Sequence, residues 1–280
     1  TIDATGDVVM AAGVDIHCHV VGSKVTAARA MRPEEARREA PIRRGAAAGA
    51  RSGTLGSIPS TFAGAASYAG LGYATVLDAA IAPLGARQAH LEFEDTPILD
   101  KGFLTLLGNN HYVMDCIRDD DRERLRAYVA WVVSACGAFG VKAVNPGGVE
   151  VWKQGKSQLA GLDDIVPGFD VTPRLILQGL AETIESLGLP HPLHLHGLQL
   201  GLPGNASVTL ETMKALEGRR AHLAHIQFHS YAGDKNDTNS LKSGVDQLAE
   251  YFNTHPNLSL DVGQVMFGEA TAMTADGAVG

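Results

Sequence analysis

Cysteine is scarce in this chain: three in 280 residues, Cys18, Cys116 and Cys136, an odd number with no C-x-x-C pair. That excludes a disulfide framework and a cysteine-based zinc module, and it fits a reducing compartment, so the cytoplasm is expected. No apolar run reaches the roughly 18 residues a membrane helix needs, and the N-terminus lacks a basic stretch followed by an apolar one. No membrane association is therefore expected. Basic residues are also in deficit, 23 Lys and Arg against 31 Asp and Glu for a net charge of −8. A general nucleic-acid binder needs a basic face to neutralise phosphates, so that class is excluded. What is present is length and apolar content: 280 residues that are 45% hydrophobic, enough for one large α/β domain or two smaller ones with a substantial core.

Short apolar runs alternate with longer helical patterns, which is the signature of repeated βα units around a parallel sheet. Strands are expected near Val8 to His17, Tyr73 to Asp78, Phe103 to Leu107, Val141 to Asn145, Pro192 to His196, His222 to Phe228 and Leu258 to Val262. Thr172 and Pro173 supply an N-cap and a first-turn proline, and Ile176, Leu180, Ile184 and Leu187 mark one apolar helix face before Gly188. Further helices are expected over about Asp121 to Ala135, Thr209 to Leu216 and Leu241 to Phe252. Gly and Pro cluster after strands, as in Asn145-Pro146-Gly147-Gly148 and Gly201-Leu202-Pro203-Gly204, where close-approach backbone is wanted. The expectation is an α/β fold, a (β/α) barrel with about seven of its eight strands, spanning residues 1–280 as one domain. The chain opens almost on its first strand and stops soon after the seventh, so a fragment lacking parts at both ends is expected. Pro33 to Ser60 reads as a long insertion after strand one.

Three features carry chemistry. In Asp15-Ile16-His17-Cys18-His19, strand alternation puts His17 and His19 on one side, where they can chelate one metal ion; ordinary hydrogen-bonded histidines are the alternative. Six of the eleven histidines fall between His191 and His229. Among them His194 and His196 flank Leu195 on one strand, and His225 and His229 are placed on the next. Lys142 lies inside the apolar strand Gly140-Val141-Lys142-Ala143-Val144, and a buried ammonium is costly unless paired or neutralised. Carbamylation would make it an anionic ligand able to bridge two metals; the alternative is an aspartate partner or a route to solvent.

Several longer stretches narrow this pattern. They are Gly13 to His19, Asp100-Lys101-Gly102-Phe103 leading to Gly108-Asn109-Asn110, Val144 to Lys153, His191 to His196, His225 to Tyr231, Asp261 to Val265 and Met273 to Gly277. Together they resemble the formylmethanofuran dehydrogenase A-subunit family and its methylotrophic formyltransferase/hydrolase counterpart, within the amidohydrolase superfamily. The resemblance covers nearly the whole chain. It implies an amidohydrolase-type barrel, a binuclear zinc enzyme acting on a formamide C–N bond, that interconverts N-formylmethanofuran and water with formate and methanofuran. It implies a place in one-carbon metabolism, in methanogenesis or methylotrophy, with the other subunits of such a complex as partners. By carry-over, His17 and His19 hold one zinc and carbamylated Lys142 bridges two. The second zinc falls to strands five and six, with His194 not separated from His196, nor His225 from His229. The family's aspartate after strand eight cannot be assigned, and Asp261 is the nearest substitute for it. Asn109, Asn110 and Asn145 are expected to line the substrate pocket, or else to satisfy turns.

Two other readings share these features: a non-catalytic scaffold subunit of the same complex, and a cyclic-amide hydrolase of the dihydroorotase or hydantoinase type. A scaffold needs none of the metal-type residues. The cyclic-amide enzymes share the ligand order but not the longer motifs.

Overall fold

The computed structural model describes residues 2–30, 61–155 and 159–263. The expected insertion from Pro33 to Ser60 and the Met273 to Gly277 motif lie outside the described residues. The chain divides into two compact units, Thr1–Ala79 with Arg87–Gly102, and Ala80–Ala86 with Phe103–Gly280.

The first unit holds β1 (Gly13–Cys18), α1 (Ser23–Ala30), α2 (Thr61–Gly70), most of β2 (Tyr73–Ile81) and most of α3 (Ala86–Glu94). β1 pairs in parallel with β2, Gly13 opposite Tyr73 and Cys18 opposite Asp78. The expected first strand, Val8 to His17, therefore starts five residues late. Its ladder begins where β2 begins, and Val8, Val9 and Met10 are exposed in irregular backbone before it. Cys18, Ala65, Val76 and Leu99 form a small core, with Val20, Tyr68 and Ala69 packed on it.

The second unit carries most of β3 (Asp100–Leu106), then α4 (His111–Arg118), α5 (Arg122–Cys136), β4 (Gly140–Val144), α6 (Gly148–Lys153) and α7 (Pro173–Ser186). After these come β5 (Leu193–His196), α8 (Asn205–Ala215), β6 (Ala221–Leu223), β7 (Tyr231–Ala232), β8 (Lys242–Ser243), α9 (Val245–Asn253) and β9 (Leu258–Leu260). β7 and β8 form a separate antiparallel ribbon. The main sheet has seven strands among the described residues, in the hydrogen-bonded order β1-β2-β3-β4-β5-β6-β9. Parallel pairing with intervening helices is the βα repeat, and seven strands is one short of a closed (β/α) barrel. No helix of the described residues is long and apolar enough to cross a membrane.

Local chemistry explains where the helices start and stop. Thr172 caps α7 by accepting from the Leu175 N–H, Pro173 occupies its first turn, and Ile176, Leu177, Leu180 and Ile184 are fully buried on one face. Asp121 caps α5 by accepting from the Arg124 N–H, and left-handed Gly137 ends it, the Ala138 N–H donating back to the Val133 carbonyl. α7 packs on β5 and against α5, and Phe103 and Leu104 of β3, Leu107 just past it, and Leu193 and Leu195 of β5 are all under 2% exposed. Two glycines set the backbone around β4. A Cβ on Gly108 would lie 2.8 Å from the Cβ of Ala143, and one on Gly147, where φ is +77°, would lie 2.3 Å from Val166 Cγ2.

Candidate metal centre

The second unit brings its chemistry to the C-terminal ends of β4, β5 and β6. Lys142 on β4 stands in register with His194 on β5, and His194 with His222 on β6. In a parallel sheet residues in register share a face, so the amine and both rings project to one side. Lys142 is 1% exposed, and His194, His196, His222 and His229 are all buried. β6 is shorter than expected. It ends at Leu223 rather than Phe228, His225 takes a left-handed conformation (φ +36°), and Ile226–His229 wind as a 3-10 turn. His225 and His229 are thus brought together by a turn and not by strand alternation.

Asp261, just past β9, anchors this break. Its carboxylate accepts from the backbone N–H of His225 and, at 3.0 Å, from His222 Nε2, while the Ser259 hydroxyl pairs with His222 Nδ1 at 2.9 Å. Its backbone also joins the turn, the Ile226 N–H donating to the Asp261 carbonyl.

The six histidines separate into two groups. His196, His225 and His229 have ring centroids 4.6–5.3 Å apart, and each offers a ring nitrogen within 4.8 Å of the other two. His194 instead belongs with His191, whose Nε2 lies 3.1 Å from His194 Nδ1, and with His222, whose ring centroid is 4.6 Å away. Burial first, then the neighbouring charge of His225, pushes His229 down to about 3 against a weak opposing bond from the Leu198 backbone. Burial, then His222, Lys142 and Arg220, pushes His191 down to about 4. Both rings are neutral near pH 7, the form that ligates metals.

The three expected pocket asparagines have structural partners. Asn109 Nδ2 donates to the Val144 and Asn145 carbonyls at 2.6 and 3.2 Å, and its Oδ1 accepts from the Val149 N–H. Asn110 caps α4 through the Val113 N–H and donates to the Tyr128 hydroxyl. Asn145 is buried and left-handed at φ +40°, and its N–H donates to the His196 carbonyl. Asn109 thus ties the loop after β3 to the one after β4, and Asn110 sets the start of α4.

In the first unit, His17 and His19 straddle the end of β1 with ring centroids 5.6 Å apart. A carboxylate steadies each. The Asp15 side chain accepts from the His17 backbone N–H at 2.9 Å and from the Tyr68 hydroxyl at 2.9 Å. Asp78, fully buried at the position opposite Cys18, faces His19 Nδ1 at 3.7 Å and takes Lys24 Nζ at 2.6 Å. Burial raises the Asp78 carboxyl, but His19 and Lys24 together hold it down at about 2. Asp78 and His222 were both missed in the sequence as site residues. Asp78 is a lone carboxylate closing an apolar strand, and His222 sits two residues beyond the basic pair Arg219-Arg220; each signal is weak on its own.

The family profile described as "Amidohydrolase family" matches residues 1–278. The chain belongs to the amidohydrolase family. Within it, the chain is 45% identical to Protein FwdA of Methanocaldococcus jannaschii and 38% identical to the A subunit of the formyltransferase/hydrolase complex Fhc of Methylorubrum extorquens, each over 99% of its length. It spans about half of each relative, 49% and 50%. In three dimensions it matches a chain in the crystal structure of the formyltransferase/hydrolase complex (FhcABCD) from Methylorubrum extorquens in complex with methylofuran. That match has a TM-score of 0.84 at 36% identity, covering 95% of this chain and 48% of that one. The resemblance read from the longer motifs is borne out.

The residues fit a metal of the amidohydrolase type. Three imidazoles offering nitrogens within 4.8 Å need to draw in toward the ~3.3 Å spacing that ~2.0–2.1 Å bonds impose in a tetrahedron. Rotation of side chains supplies such a change without moving strands.

Proposed function

We propose that this amidohydrolase chain hydrolyses the formyl C–N bond of an N-formylmethanofuran-type carrier, or forms it in reverse, within the larger assembly of a formyltransferase/hydrolase complex and alongside its other subunits. One observation carries the reading above all: the match over 95% of the chain to a protein crystallised with methylofuran. The group of buried His196 and His229 with half-buried His225 supports metal-dependent hydrolysis at the same time.

In this reading His196, His225 and His229 hold a zinc ion on their neutral rings. Lys142, as its carbamate, supplies the negative charge that an all-imidazole set lacks. His17 and His19 enter as ligands of a second zinc on the strength of the H-x-H motif. Bound zinc would polarise the formyl oxygen and lower the pKa of a water nucleophile. Asp261 keeps His222 and His225 in place through both carboxylate oxygens. The asparagine-stitched loops after β3 and β4 frame the entrance at the strand ends.

The test is formate release from N-formylmethanofuran by the protein in its native assembly. Activity should be lost on chelation and restored by zinc. Turnover of hydantoin or dihydroorotate with no formate release would favour a cyclic-amide hydrolase. Normal assembly with neither activity nor zinc would favour a scaffold.

A further inference from the structure

Resting on the metal-dependent reading above, we propose that Asp78 is the positioning residue of the H-x-H pair, its carboxylate holding the His19 ring in the tautomer that leaves Nε2 for a metal ion. Which nitrogen an imidazole presents to a metal is set by the hydrogen bond the other one makes, and a carboxylate is one of the groups that fixes it. The geometry lies wholly within the first unit. The β1–β2 pairing shifts register between Asp15 and Cys18, and past that shift Asp78 stands opposite Cys18, the residue between the two histidines.

Its two oxygens act on different parts of the motif. Oδ2 accepts the backbone N–H groups of Val20 and Val21 at 2.9 and 3.1 Å, which fixes the turn leaving His19. Oδ1 takes Lys24 Nζ at 2.6 Å and faces His19 Nδ1 at 3.7 Å. That gap exceeds a hydrogen bond by about half an ångström, which a modest ring rotation closes. The His19 side chain is half exposed while Asp78 is completely buried. Water alone would leave both tautomers of such a ring open, whereas a fixed carboxylate on the Nδ1 side selects one. A carboxylate that merely caps the turn into α1 would need its Oδ2 bonds, with no consequence for the imidazole.

Two measurements on the full protein separate these roles. In Asp78→Asn the amide keeps an oxygen for the Val20 and Val21 N–H groups but loses the charge that attracts the Nδ1 proton. Zinc affinity, read by competition with a chelating dye, is expected to fall about 10–100-fold for the equivalent held by the H-x-H pair. The second measurement needs no variant of Asp78. In zinc-loaded wild-type protein labelled with 15N-histidine, His19, assigned by loss of its signals in His19→Gln, is expected to carry its proton on Nδ1. A folded Asp78→Asn protein with unchanged zinc affinity overturns the proposal, and so does a His19 ring protonated on Nε2. If Asp78→Asn does not fold, the tautomer decides alone. A wild-type protein that binds no zinc at all overturns the metal-dependent reading itself, and the proposal with it.

Discussion

Lys142 is an amine 1% exposed, in register with one imidazole and close enough to His191 and His229 to disfavour their protonation. In the proposed reading an anionic carbamate at this position would draw metal to the neighbouring imidazoles. Lys142→Ala is expected to lower zinc content, measured by elemental analysis of the purified protein, with partial recovery when a short carboxylic acid fills the space left. Full zinc content in Lys142→Ala would show that this amine is not a ligand. At this scale the residues of the candidate site stood out in the sequence. A lysine in an apolar strand and paired histidines at strand ends stand out because each is chemically out of place. The division of six histidines into two groups was not legible. It depends on the left-handed turn at His225, which Asp261 secures from 36 residues further along the chain. For the asparagines, composition alone cannot separate a capping or loop-tying amide, as Asn110 and Asn109 are in the fold, from a pocket-lining one.

Among the elements, α7 was the clearest in the sequence, because its cap, its first-turn proline and its apolar face all agreed. Leu180 lies in the middle of that face with no exposure. Leu180→Ala should cost about 2–5 kcal/mol, read as a lower midpoint in chemical denaturation. A change under about 1 kcal/mol, well below that range, would mean the helix packs loosely. Gly108 tests the other side of β4. A methyl group there meets the Ala143 Cβ at 2.8 Å and its Cα at 2.9 Å, the latter backbone that cannot rotate away. Gly108→Ala is expected to destabilise by about 1–3 kcal/mol and to weaken zinc binding, because Ala143 adjoins Lys142. Unchanged stability would show that the two strand ends are not held this closely in solution. The short helices α4 and α6 and the β7–β8 ribbon escaped the sequence reading. α6 has six residues and each ribbon strand two, too few to show a period.

For the molecule as a whole, the buried histidines set an acid limit. His191 is pushed down to about 4 in the fold, by burial first and then by His222, Lys142 and Arg220, while in the unfolded chain it titrates near about 6.5. Above about pH 6.5 both states are neutral and its contribution is intact. Between about pH 6.5 and 4 the unfolded chain takes up a proton that the folded ring refuses, so stability falls as pH is lowered through that window. His191→Gln, which cannot titrate, should lose less of its denaturation midpoint over the same range. Equal slopes in the two proteins would show that His191 carries no such linkage. The histidine cluster also has an order of construction. A ribosome delivers the chain from its N-terminus, so His191 to His229 are made before residue 261. The carboxylate that secures the His225 turn belongs to Asp261, so a nascent chain paused after α9 holds all six imidazoles but not the clasp that arranges them. In the proposed reading metal capture by this group waits for residue 261, and a ribosome stalled a few codons short of it would carry a chain rich in candidate ligands and poor in site.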